Sequence, residues 1–264
     1  MKHAIFQMDV IVANPEHNRQ KIFDWVQYVT KDNDLDTIVL PEMWNAGYKL
    51  DKLEEIADNN GAETIPFLSN IAKEYSINII GGSIANRKED GIYNSSYVFN
   101  RKGELVYQYD KIHLVPMLNE PVYLQGGKEK AKIFHIDGIK MGLIICYDLR
   151  FPEITRSLAL QGAEVIYVVA QWPASRAEHW KYLQYARAIE NQCYIISANS
   201  SGTCDETQFA GESLVIEPTG KIVTQGPPET EAKLYGTIHL ERVTETRKAI
   251  PVFTSRVPHL YDGW

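Results

Sequence analysis

Three residues far apart in the chain carry side chains that could share one reaction: Cys146, Glu42 and Lys111. Cys146 closes the apolar run Ile139-Lys140-Met141-Gly142-Leu143-Ile144-Ile145, and Tyr147-Asp148-Leu149-Arg150-Phe151-Pro152-Glu153 follows at once. The isoleucine-rich run reads as a buried strand. Pro152 with Glu153 reads as the first turn of a helix, where a missing N–H and a negative charge are both favoured. A thiol at such a junction meets free backbone N–H groups and a positive helix end, which predicts a stabilised thiolate and raised nucleophilicity at neutral pH. The competing reading is a core cysteine acting as a small hydrophobe. The polar Tyr147-Asp148-Leu149-Arg150 weighs against it, because a core strand does not normally run into such a sequence. Amide or nitrile chemistry needs a proton acceptor and an oxyanion stabiliser beside the nucleophile. Thr37-Ile38-Val39-Leu40-Pro41-Glu42 puts a carboxylate just beyond a buried strand, the place where α/β architectures collect their sites. Lys111, in Tyr107-Gln108-Tyr109-Asp110-Lys111-Ile112-His113-Leu114-Val115-Pro116, follows a strand-like run in the same way. Taken singly, Glu42 also fits a solvated turn and Lys111 a surface ion pair with Asp110.

The elements that must position these residues alternate along the chain. Strand-like segments are predicted at 5–10, 37–40, 77–84, 93–100, 104–109, 133–136, 140–145, 164–169, 194–199, 214–217, 221–224 and 233–239. Helices are predicted at 17–30, where Ile22, Trp25, Val26 and Val29 form one stripe, and at 65–75, 152–161 and 175–191. Arg101-Lys102-Gly103 and Pro218-Thr219-Gly220 read as hairpin turns. Such alternation, without a repeat or low-complexity linker, indicates α/β layering, and the strand count suits two central sheets with helices outside.

With 264 residues, 44% of them hydrophobic, the chain can bury a large core as one domain, 1–264. A net charge of −7 without a Lys/Arg block argues against a nucleic-acid partner and favours small molecules. No segment reaches the length of a membrane span and no signal-peptide core stands at the N-terminus, so a cytoplasmic location away from membranes is expected. Cys146, Cys193 and Cys204 are odd in number and contain no C-x-x-C pair, which suggests neither a disulfide framework nor a thiolate zinc site. Cys193, in Cys193-Tyr194-Ile195-Ile196-Ser197, reads as core.

Pro41-Glu42-Met43-Trp44, Asp110-Lys111-Ile112-His113-Leu114 and the segment Ile145-Cys146 to Glu153 together resemble the Glu–Lys–Cys segments of the nitrilase, or carbon–nitrogen hydrolase, superfamily. Tyr93-Asn94-Ser95-Ser96, Ala186-Arg187-Ala188-Ile189-Glu190-Asn191-Gln192 and Ala210-Gly211-Glu212-Ser213 resemble further family segments in family order, so the likeness covers nearly the whole chain. The resemblance implies a four-layer α-β-β-α sandwich, commonly paired as a homodimer, and a cofactor-free, metal-free hydrolysis through a thioester. In that scheme Glu42 takes the Cys146 proton and returns it to departing ammonia, which calls for a partly desolvated carboxylate. Lys111 stays protonated and stabilises the tetrahedral oxygen, with the Tyr147 N–H as second donor. Glu120, in Met117-Leu118-Asn119-Glu120-Pro121, takes the place of the family's additional glutamate.

Rival chemistries lack their signatures. His113 and His179 offer a papain-like partner for Cys146, but the protease's local sequence is absent. A phosphatase would need arginine at position 152, which is Pro152; Gly126-Gly127-Lys128 lacks the spacing of a phosphate loop, and no H-E-x-x-H occurs. A noncatalytic binding protein on the same fold is the alternative from another class, and the intact Glu42, Lys111 and Cys146 argue against it. Within the amidases, Gln171-Trp172-Pro173-Ala174-Ser175-Arg176 followed by His179-Trp180 resembles bacterial ω-amidases acting on 2-oxoacid amides such as 2-oxoglutaramate. Arg176 could supply a fork of donors to the substrate carboxylate and Trp172 an apolar wall. A helix ion pair and a core indole are their competing readings. Trp44 and Tyr48 are further lining candidates. Asp148, Arg150, Arg187 and Glu190 read as structural, in a charge network or subunit contact. A deaminated-glutathione amidase, an N-carbamoyl amino-acid amidohydrolase and a nitrilase are the alternative substrate classes.

Overall fold

The computed structural model describes residues 1–31 and 33–261. The first half runs β1 (Lys2–Gln7), α1 (Pro15–Thr30), β2 (Thr37–Val39), α2 (Leu53–Ile56), β3 (Asp58–Asn59), α3 (Thr64–Glu74), β4 (Asn78–Ile80), β5 (Ile84–Lys88), β6 (Gly91–Phe99), β7 (Leu105–Asp110) and α4 (Glu120–Tyr123). There follow β8 (Phe134–Ile136), β9 (Ile139–Ile145), α5 (Pro152–Leu160), β10 (Val165–Ala170), α6 (Ala177–Asn191) and β11 (Tyr194–Asn199). The chain closes with β12 (Thr203–Cys204), β13 (Thr207–Gln208), β14 (Leu214–Ile216), β15 (Ile222–Gln225), β16 (Ala232–Thr237) and α7 (Glu241–Ala249).

One sheet has eight strands in the order β16-β1-β2-β4-β6-β5-β3, with β7 also on β6, and the other has six in the order β15-β14-β11-β10-β9-β8. Period-two alternation sorts their side chains between layers. On the first sheet Ile5, Val39, Ile80 and Val98 face the second, where they share a core with Leu143, Ile145, Ile166 and Ile196. Their neighbours Ala4, Phe6, Ile38 and Ile79 point the other way, onto Ile22, Trp25 and Val26 of α1 and Leu68 and Ile71 of α3. The α1 stripe forms as its 3.6-residue spacing predicts, and Trp25 stacks on Phe6 at 4.7 Å. Asn14 caps the helix by accepting from the His17 N–H at 3.1 Å, and Pro15 occupies its first turn. On the far side α5 and α6 cover β9 and β11, and Gly142 lets α5 approach: a Cβ there would lie 2.9 Å from Leu158. The result is the expected α-β-β-α sandwich.

Where the elements differ from expectation, a long-range partner decides. β1 begins at Lys2 because its register against β16 runs from Lys2↔Thr237 to Gln7↔Ala232. The strand predicted from Ile77, ending near Gly81-Gly82, is β4, which stops at Ile80, and Ile84 opens the separate strand β5. Gly82 has φ +61 and packs so closely that a Cβ would meet the Pro41 carbonyl oxygen at 2.0 Å, a place that only glycine can fill. That contact holds the chain leaving β2: Ser83 N–H donates to Pro41 O at 3.0 Å, and Met43 N–H donates to Ser83 Oγ at 3.0 Å. The helix α6 starts at Ala177 after a single 3₁₀ turn, and α7 and the β12–β13 hairpin have no counterpart in the expected elements.

Candidate active site

Glu42, Cys146 and Gln171 each follow the end of a strand that runs parallel to a neighbour: β2 beside β1 and β4, and β9 and β10 beside each other. Lys111 follows β7 directly. The two sheets therefore bring their site residues to one edge of the sandwich, where strand ends free the backbone for function. Glu42, Lys111 and Glu120 are all fully buried there.

Glu42 has every oxygen engaged. Its Oε1 accepts from Lys111 Nζ at 2.9 Å and Asn94 Nδ2 at 2.8 Å, and its Oε2 accepts from the Gln171 backbone N–H at 2.7 Å. Its carbonyl oxygen accepts from Gln171 Nε2 at 2.7 Å. Lys111 Nζ also donates to Glu120 Oε1 at 2.8 Å, and Glu120 Oε2 accepts from the Val115 N–H at 2.7 Å. Burial works against a charged amine, but Glu42 and Glu120 outweigh it and hold the Lys111 pKa above its ordinary value. The lysine therefore stays an ammonium, and a buried ammonium of this kind persists only because it is doubly paired.

Cys146 opens a five-residue 3₁₀ turn, Cys146–Arg150, and holds a left-handed backbone with φ +46. Met43, directly after Glu42, is likewise left-handed at φ +47. Such strained non-glycine conformations persist where surrounding contacts over-determine them. Asp148 supplies the contacts at the sulfur side: its carboxylate accepts from Ile145 N–H at 3.0 Å, Tyr109 OH at 2.8 Å and His113 N–H at 3.2 Å, and His113 Nδ1 lies 2.7 Å away. Arg187 donates to the Leu149 carbonyl oxygen at 2.9 Å and pairs with Glu190 at 3.0 Å. Asp148, Arg187 and Glu190 are thus structural, as their sequence context predicts.

The expected stabilised thiolate is not what this environment favours. Burial raises the Cys146 pKa well above its ordinary value, Glu42 raises it further, and Lys111 offsets only part of this. The helix end invoked from Pro152 lies a whole turn away, and the Ile145 N–H before the sulfur donates to the carboxylate of Asp148. The sulfur rests as a thiol and needs a base when it attacks.

Cys146 opens on a small, largely apolar cavity walled by Val115, Leu118, Tyr147 and Trp172, with Arg150 and Arg176 at its polar side. Trp172 donates its indole N–H to the Arg176 carbonyl oxygen at 2.8 Å, and the Arg150 guanidinium lies 4.7 Å above its ring. Among the described residues neither guanidinium has a carboxylate partner within ion-pair distance. Burial lowers the Arg150 pKa from its ordinary value, and the charge of Arg176 acts in the same direction. Arg150, expected to be structural, is therefore also part of the wall.

Two of the expected lining residues are elsewhere. Trp44 is fully buried in the core under α1 and α3, donating its indole N–H to Gly81 O at 2.8 Å, because the turn after Glu42, with Met43 left-handed at φ +47, directs it away from the sulfur. Tyr48 is a partner of the carboxylates and not a wall: its hydroxyl donates to Glu120 Oε1 and lies 3.4 Å from Glu42 Oε1. Burial raises its pKa well above the ordinary value, with Glu120 and then Glu42 adding to the effect. Asn94 and Gln171 have roles that the sequence reading did not assign. Asparagine within a strand, and glutamine directly after one, were the available signals, since buried amides demand partners.

The arrangement can attack a carbonyl carbon with a sulfur, accept its proton on a carboxylate, and present an ammonium to the resulting oxyanion. No group of three or more His, Cys, Asp or Glu among the described residues could hold a metal ion.

A family model described as carbon-nitrogen hydrolase matches residues 2–248. The "hydrolase in agr operon" of Staphylococcus lugdunensis is 47% identical over 231 residues, 87% of this chain and 98% of that protein. The 2-oxoglutaramate amidase of Bacillus subtilis is 38% identical over 258 residues, 98% of each chain. Among solved structures, Saccharomyces cerevisiae Nit3, a member of branch 10 of the nitrilase superfamily, superposes with a TM-score of 0.89 at 29% identity, covering 97% of this chain and 96% of that one.

Proposed function

The chain belongs to the carbon–nitrogen hydrolase family, and on that premise we propose that it is an ω-amidase, releasing ammonia from the terminal amide of a 2-oxoacid such as 2-oxoglutaramate. The observation that carries the substrate class is the pair Arg150 and Arg176, two guanidiniums without carboxylate partners among the described residues, set against Trp172 at the cavity that holds Cys146. A small acid would neutralise their crowded charge, and a planar carboxylate matches the guanidinium fork. The name of the Bacillus subtilis relative supports the same reading.

Glu42 is the general base, taking the thiol proton as Cys146 attacks and delivering it to the leaving nitrogen. Lys111, held by Glu120, and the N–H of Tyr147 steady the tetrahedral oxygen. Water then attacks the thioester, again with Glu42 as base. Tyr48 holds Glu120 in place, and Trp172 and Arg176 bind substrate. No cofactor or metal enters this scheme.

Ammonia release from 2-oxoglutaramate and 2-oxosuccinamate, against deaminated glutathione, N-carbamoyl amino acids, simple nitriles and uncharged amides of equal length, tests the reading. The oxoacid amides are expected to be the best substrates, and Arg176→Gln to raise their KM about tenfold while sparing uncharged amides, as for loss of one charge-assisted pair. No turnover of either oxoacid amide overturns it.

The same reading places this single domain, 1–264, in the cytoplasm as a homodimer, with neither nucleic acid nor membrane as partner. Exposed Tyr182 and Ile189 on α6 and Leu160 on α5 support pairing through that layer. Among the described residues no helix is long and apolar enough to cross a membrane. Sedimentation at about twice the 30.1 kDa chain mass is expected, and a monomer at micromolar concentration overturns the dimer.

A further inference from the structure

Gln171 is fully buried at the end of β10. Its side-chain amide has one sensible orientation: Nε2 donates to the Glu42 carbonyl oxygen at 2.7 Å, and turning it over would set two carbonyl oxygens against each other. The other end of the amide, Oε1, is buried and has no hydrogen-bond partner among the described residues. Gln171 also walls the cavity on which Cys146 opens. Asn94 Oδ1 is unpaired too, but Asn94 is not among the residues that wall the cavity. Leaving a buried acceptor unmatched carries a desolvation penalty, so one held rigidly beside a nucleophile is poised for a donor brought by the ligand.

We propose that Gln171 Oε1 accepts a hydrogen bond from an N–H of the scissile amide, and that this contact selects amides over esters of the same acid. The proposal rests on the amidase reading above and makes Gln171 a catalytic residue. In acylation a bond forms between Cys146 Sγ and the carbonyl carbon, and the thiol proton passes by way of Glu42 to the nitrogen. The C–N bond then breaks with its electron pair on nitrogen, and ammonia leaves. As the nitrogen takes up that proton its N–H bonds become stronger donors, so a fixed acceptor binds the departing group more tightly than the resting amide. An ester offers Oε1 an acceptor in place of a donor.

Gln171 touches Glu42 through both its backbone and its side chain, so a substitution could act merely by loosening the base. The two roles separate on paired substrates: kcat/KM is measured for 2-oxoglutaramate and for the ω-methyl ester of 2-oxoglutarate, with Gln171→Met against the unaltered enzyme. Loss of the acceptor is expected to lower the amide value about tenfold and the ester value by less than about threefold. Equal losses on both, or an amide-to-ester ratio that shifts by less than about threefold, overturn the proposal, since both substrates need Glu42 alike. If Gln171→Met fails to fold, Gln171→Asn, which keeps an amide but withdraws its oxygen by one methylene, is read in the same way. Should the unaltered enzyme ignore 2-oxoglutaramate yet hydrolyse another primary amide, the substrate assignment falls and that amide and its ester serve for the comparison. Failure on every primary amide overturns both.

Discussion

At Cys146 one ammonium and one carboxylate compete over a single proton in a space that water hardly enters. Burial and Glu42 push the thiol up, and Lys111 pulls it back only in part. A pKa above its ordinary value keeps the sulfur protonated at neutral pH, so alkylation by iodoacetamide is expected to climb about tenfold per pH unit between pH 7 and pH 9 without levelling off. Glu42→Gln removes an influence that raises the pKa and leaves Lys111 in place. That variant is expected to alkylate faster at pH 7 while its turnover falls by at least about a hundredfold, the usual worth of a general base. A plateau in the first profile, or slower alkylation in the variant, would contradict the account. The opposite signs distinguish a proton acceptor from a residue that only supports the turn. Asp148 is the latter kind: its carboxylate joins the start of the sulfur's turn to the loop after β7, through Ile145, Tyr109 and His113.

Most of the elements were readable from local pattern. The α1 stripe, the buried runs of β9, β10 and β11, and the positions of Glu42, Lys111 and Cys146 beyond strand ends all follow from spacing alone. What escaped depends on residues distant in sequence. The stop near Gly81-Gly82 was legible in the glycine pair, but its cause was not: Pro41 O occupies the space where a Cβ of Gly82 would stand. The helix α7 has only Val243 buried, so its sequence carries almost no apolar stripe. Trp44, a lining candidate from the sequence, lies two residues from Glu42, yet the left-handed Met43 between them redirects the chain. Tyr48, six residues from Glu42, is brought back to the carboxylates by that same turn. Sequence proximity therefore misled where a strained backbone intervened, and served well where strands ran straight.

For the whole molecule, acidity bears on His3, buried where β1 lies against the second sheet with Nε2 3.0 Å from Tyr167 OH. Desolvation lowers its pKa from 6.5 to about 4, with the N-terminal ammonium acting in the same sense. Between those values the unfolded chain binds a proton that the folded chain excludes. Stability from this group is thus intact above about pH 6.5, falls as pH drops through that value, and reaches its full loss near pH 4. Going from pH 7 to pH 5 should cost about 2 kcal/mol, at about 1.4 kcal/mol per unit of pKa difference. Urea midpoints at the two pH values check this, and in His3→Gln the part of the change owed to this site should vanish. An identical pH response in that variant would remove His3 from the account.

Glu42 and Lys111 belong to one sheet, Cys146 and Gln171 to the other, and two 2.7 Å hydrogen bonds between Glu42 and Gln171 stitch the layers at that point. Competence therefore depends on interlayer registry, a quantity that no strand ladder protects. A slip of the sandwich by one bond length would part base from sulfur while every ladder stayed whole, so heat or cosolvent could silence the enzyme long before it melts.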